Sequence, residues 1–151
     1  MIDKQEFYHG AAITRLLEDP RCERVRRQDF GYTVNEGVFV FLKYSTKGRS
    51  PWGFVFSGEE ARKLNGISAR IFIGLICGGD GICAVAWEDV RTLLGEMDGS
   101  ARIAVRRRFN EQYGVSGPAA ALKGKVPVKA WPSLVFGANG TESFAKINPE
   151  V

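Results

Sequence analysis

The sequence predicts an α+β fold: a single domain with a mixed, largely antiparallel sheet flanked by about three helices. Three observations predict it. Apolar residues alternate in several short runs, and stripes at helical spacing are few and brief. The turn signals "NEG", "TKGRSP" and "GGDG" are also too short to hold helical crossovers, so they imply antiparallel neighbours. A chain of 151 residues is of a size to bury most of its apolar surface in one core. Residues 1–136 read as that globular domain, and 137–151, which carry few apolar anchors, as a mobile tail.

The opening segment reads as a helix. Asp3 with Glu6 three residues later makes a capping-box start, Ile13, Leu16 and Leu17 recur at helical spacing, and Pro20 closes it. From Phe30 the pattern turns to strands: "FGYTV", then Val38 to Ser45, then Trp52 to Phe56, read together as a three-stranded antiparallel meander. Ser57 and Glu60 form a second capping box, opening a short helix "SGEEARKLN" that Gly66 ends. "ARIFIGLICGGDGICAVAW" is two apolar strands about a GGDG turn. The first is apolar nearly throughout, as a strand at the centre of a sheet would be. Val90, Leu93 and Leu94 give "EDVRTLLGEM" a helical stripe; "ARIAVRRR" and "EQYGVSG" read as further strands. "KVPVKAWPSLVF" is a proline-broken extended segment suited to covering an edge.

Composition narrows the function classes. Hydrophobic residues at 44% with 25% charged exclude a disordered chain. The longest apolar run, Ile71 to Cys77, is far short of the about twenty residues that cross a bilayer. The N-terminus lacks a signal-peptide pattern, so the expected location is cytoplasmic, with no membrane partner. Cys22, Cys77 and Cys83 have no paired metal-ligand spacing and read as buried free thiols of a reducing compartment. The formal charge of +4 is unevenly spread. Arg21, Arg24, Arg26 and Arg27 lie among acids that cancel them, whereas Arg102, Arg106, Arg107, Arg108, Lys123, Lys125 and Lys129 have only Glu111 in their midst. That second group is either a phosphate-binding patch or an ordinary solvated surface.

The strand Val38 to Ser45 raises a sharper question, because it carries a lysine. Alternation sets Val38, Val40, Leu42 and Tyr44 on one face and Phe39, Phe41, Lys43 and Ser45 on the other. Lys43 either lies buried, as a base or a charge aimed at phosphate, or snorkels past the sheet rim with its stem on Phe41. Lys47 and Arg49 in the following turn extend the positive charge, and Tyr44 or Trp52 would be available to stack on bases. Against that, Trp52, Phe54 and Phe56 alternate as core aromatics do. The GGDG turn lacks the helix and the Lys-Ser or Lys-Thr pair of a phosphate loop, and reads as a hairpin. His9 has no identifiable nucleophile partner and reads as a partly exposed helical residue, and Trp131-Pro132 as a plug at the core's edge.

The order of these elements, from a helix with an early acid through a meander whose middle strand ends in lysine to the buried strand before "AWEDVRTLL", resembles the core of the PD-(D/E)XK nucleases over residues 3 to 97. By that resemblance Glu6 is the helical acid, Asp29 the strand aspartate and Lys43 the catalytic lysine; Lys47 and Arg49 beside the hairpin, and Arg106, Arg107 and Arg108 of the basic stretch, are the expected nucleic-acid contacts. The family's second strand acid falls at Phe41, which cannot ligate a metal. The resemblance therefore implies a domain bound to DNA or RNA that is either catalytically inactive or uses a rearranged site, with Glu36 the nearest replacement acid. Magnesium is implied only if a carboxylate site is present. The alternative is a non-enzymatic module that binds a protein partner or forms a homodimer through a sheet edge.

Overall fold

Two capping boxes start the helices that frame the molecule. In the computed structural model, which describes residues 1–137 and the strand Ile147–Asn148, helix α1 (Lys4–Glu18) opens with Glu6 N donating to Asp3 Oδ1 at 2.8 Å. Asp3 N returns a bond to Glu6 Oε1, so two otherwise orphaned donors are satisfied. α1 buries Ala12 and Leu16, one turn apart, and ends before Pro20.

Five strands form the first sheet: β1 (Val25–Gln28), β2 (Gly31–Val34), β3 (Val38–Ser45), β5 (Arg70–Cys77) and β6 (Gly81–Ala86), in the order β1-β2-β3-β5-β6. β3 runs parallel to β5, and the other pairings are antiparallel. β5 is buried from Phe72 to Cys77, as its unbroken apolar run predicts. The GGDG turn joins β5 to β6 as a hairpin.

The meander does not continue into its expected third strand. β4 (Trp52–Ser57) leaves the sheet and pairs antiparallel with β7 (Ser100–Arg106), followed by β8 (Gly114–Ser116), β9 (Ala121–Leu122) and β10 (Ile147–Asn148) in a second sheet. The reason lies in β3, whose whole length from Val38 to Ser45 is already paired with β5. Trp52, Phe54 and Phe56 then point between the two sheets, each at most 2% exposed, which bears out their reading as core. Phe56 meets Phe41 across the interior at 6.3 Å.

Helix α2 (Gly58–Asn65), capped by Ser57 and Glu60 as predicted, and helix α3 (Trp87–Leu94) complete the main frame. The proline-broken segment is not extended throughout. It forms a short helix α4 (Ala130–Ser133) and a 3-10 turn (Leu134–Phe136) that pack near edge strand β6. Trp131 is buried there, its Nε1 donating to Ala12 O at 3.2 Å. Cys77 and Cys83 are buried free thiols, and burial pushes the Cys77 thiol up to about 12. The architecture is a single-domain α+β fold, as the sequence predicts. The mobile tail expected over 137–151 falls on residues that, beyond Gly137 and β10, lie outside those described. Among the described residues no helix is long and apolar enough to cross a membrane.

Candidate nucleic-acid interface

Lys43 faces the interior between the sheets, on the side its alternation predicts. Its ammonium does not reach past the rim. Nζ sits 5.1 Å from the Phe56 ring centroid and 5.5 Å from that of Phe41, and donates to Glu60 Oε2 at 3.0 Å. The other Glu60 oxygen accepts from Ser57 N, so one carboxylate both caps α2 and neutralises the lysine. Glu60 is the functional partner that sequence reasoning missed, since its capping role gave no sign of a second contact.

A cleft of about 300 Å³ opens beside this pair, lined among others by Gln5, His9, Arg27, Phe30 and Tyr32. His9 Nδ1 lies 3.1 Å from Tyr32 Oη, and burial, then the nearby Arg27 charge, hold the imidazole below its ordinary range against a weaker pull from Asp3. Glu6 and Asp29 do not line the cleft, although their chain neighbours Gln5 and Phe30 do. Glu6 is held in the α1 capping box, and Asp29 occupies the β1–β2 turn at φ +54°. Glu36 pairs loosely with Arg24 at 3.8 Å. The structure thus keeps Glu6, Asp29 and Lys43 in separate contacts, and among the described residues no three His, Cys, Asp or Glu side chains gather where they could hold a metal ion.

The half-buried Lys43–Glu60 pair predicts a modest role in stability. Lys43→Met is expected to shift the unfolding free energy by no more than about 1 kcal/mol, because a hydrophobic stem between two aromatic rings offsets the lost pair and Glu60 keeps its capping bond. Urea unfolding of the variant checks this, and a loss of several kcal/mol would contradict it.

The segments that carry the basic residues expected to contact nucleic acid meet at a different place. The loop after β3 and the segment after β7 lie side by side, because Trp52 pairs with Val105 and Arg107 N donates to Ser50 Oγ at 3.0 Å. The loop that carries Lys47 and Arg49 thereby runs beside the segment that carries Arg106 and Arg108. All four are exposed, and none has a carboxylate partner among the described residues. Trp52 Nε1 donates to Lys47 O at 2.9 Å and pins the loop from below.

Arg107 has partners within the fold. Its Nη1 donates to Asp80 Oδ1 at 2.9 Å and its Nε to Glu111 O at 2.8 Å, while the Tyr113 hydroxyl donates to Asp80 Oδ2 at 2.8 Å. Asp80, from the GGDG turn, therefore holds this arginine as a fastening between the two sheets. Arg102 also lies apart, mid-strand over Gly53, where glycine leaves room for its guanidinium. Phe109, which sequence reasoning passed over, stands 91% exposed directly after the arginines.

No family model matches the chain, and no curated protein or solved structure is significantly similar to it.

Proposed function

We propose that the protein is a nucleic-acid-binding domain that grips phosphates at the end formed by the β3–β4 loop and the segment after β7. The observation that carries this reading is the Arg107–Ser50 bond, which sets side by side two loops distant in sequence that carry Lys47, Arg49, Arg106 and Arg108, four exposed cations with no carboxylate partner among the described residues. Clustered cations release condensed counterions from a phosphate backbone, and an exposed aromatic among them supplies a surface on which a base can stack. The separate contacts of Glu6, Asp29 and Lys43 favour binding without cleavage over a hydrolytic role.

Binding of a fluorescein-labelled oligonucleotide across a salt titration tests the reading. With four phosphate contacts the expected slope of log affinity against log salt is about −3 to −4, a fall of about a hundredfold from 50 to 200 mM. Each of Lys47→Ala, Arg49→Ala, Arg106→Ala and Arg108→Ala is expected to flatten the slope by about one. Lys43→Met is expected to leave it unchanged. No binding at low salt, or a slope indifferent to the four substitutions, overturns the proposal. Magnesium-dependent shortening of the oligonucleotide that Lys43→Met abolishes would point instead to a rearranged catalytic site.

A further inference from the structure

We infer that the groove between α1 and the β5–β6 turn is a base-binding subsite continuous with the phosphate-gripping end, so that the preferred ligand is single-stranded rather than duplex nucleic acid. This inference rests on the function proposed above. The groove has a volume of about 420 Å³, within the range of sites that enclose small organic molecules. Residues at helical spacing on one flank of α1 build one wall, with Phe7, Tyr8 and Ala11 along it and Lys4 and Arg15 at its ends. Ile76 and Ile82 form the opposite wall.

The chemistry of the walls suits a planar, apolar ring attached to an anion. Tyr8 is stacked on Tyr44 with ring centroids 5.0 Å apart and planes within 12°, so its orientation is set in advance. Phe7 is 65% exposed and leaves a ring face open for stacking. Lys4 and Arg15 supply positive charge, and none of the described residues lining the groove is acidic. A second copy of the chain is a poorer occupant, because a two-fold contact that laid the groove along its own copy would bring Lys4 at one end against the like charge of Arg15 at the other.

Continuity with the basic end comes from the turn itself. Gly78 and Gly79 line the groove, and the Lys47 carbonyl packs directly against Gly78. A strand whose phosphates rest on Lys47 and Arg49 thus passes the groove mouth. Only an unpaired strand can turn a base into it, since duplex bases are stacked away from such a wall.

The test compares a labelled oligothymidylate with a blunt duplex of equal length, using the intact protein and the variants Phe7→Ser and Ala11→Trp. Phe7 and Ala11 are both exposed, so neither change removes core packing. The expected result is a preference for the single strand that each variant reduces about tenfold, with duplex affinity and salt slope unchanged. Equal affinity for both forms, or variants that bind like the parent, overturns this inference and leaves the phosphate reading standing. Absence of binding to either form overturns both. Light scattering that shows a dimer dissociated by Ala11→Trp would assign the groove to a second copy and also overturn it.

Discussion

Gly78→Ala is expected to destabilise the protein by about 3 kcal/mol and to weaken oligonucleotide binding about tenfold, while Gly79→Ala leaves stability near the parent value. Gly78 has φ +55°, where a side chain costs about 1 to 2 kcal/mol by itself. A Cβ there would also collide with the Lys47 carbonyl, which is backbone and cannot rotate aside. That carbonyl accepts the Trp52 indole, so displacing it strains the bond that holds the β3–β4 loop on the core. The β3–β4 loop, with Lys47 and Arg49, then shifts against the segment after β7, and binding weakens along with stability. At Gly79 nothing among the described residues stands within 4 Å of a Cβ and φ is not positive, so alanine there is the matched control for stability. Thermal unfolding is expected to show a drop of about 10 °C for the first variant and little change for the second. Equal melting temperatures would mean that the turn is free to rearrange and that the loop is not positioned through it.

The elements that the sequence makes legible are those decided locally. Both capping boxes, the two faces of β3, the β5–β6 hairpin and the stripe of α3 depend on residues a few positions apart. The partner of β4 does not. Alternating Trp52, Phe54 and Phe56 fit either sheet equally well, and the choice follows from β5 occupying the side of β3 that a meander would use. β1 escapes notice because "VRRQ" lies at a sheet edge and carries almost no apolar signal. The site divides in the same way. Lys47, Arg49, Arg106 and Arg108 are readable as cations, but that the segments carrying them are neighbours rests on a bond between residues 50 and 107. Asp80 looks like a turn residue until both its oxygens are seen to be taken, by Arg107 and Tyr113. Glu60 is visible as a cap and hidden as the partner of Lys43, because capping and ion pairing use different oxygens of one carboxylate.

Stability is expected to collapse in mild alkali, steeply from about pH 9. Burial raises the Cys77 thiol to about 12 and the Cys83 thiol well above its ordinary value, with the Asp80 carboxylate adding to the first and the Cys77 thiol to the second. Burial, reinforced by the bond to the Asp80 carboxylate, also raises the Tyr113 phenol. The native state therefore keeps these three protons at a pH where the unfolded chain has released them, thiols near 9 and phenol near 10. Because the unfolded state binds fewer protons, the unfolding free energy falls as pH rises. The stabilisation is complete below the unfolded thiol value and is lost progressively toward the folded values above it. Each group contributes about 1.4 kcal/mol per pH unit once its unfolded form is ionised, so two thiols give about 3 and the phenol brings the slope to about 4. A domain stable by about 5 to 15 kcal/mol runs out of stability within a few pH units of that onset. Urea midpoints measured at intervals from pH 8 to 11 are expected to fall accordingly. Cys83→Ala costs about 1 kcal/mol of packing at pH 8 but removes one ionisation, and its alkaline limb is expected to be shallower by about a third. A midpoint constant to pH 11, or a limb unaffected by Cys83→Ala, would show that these protons are not held by the native interior.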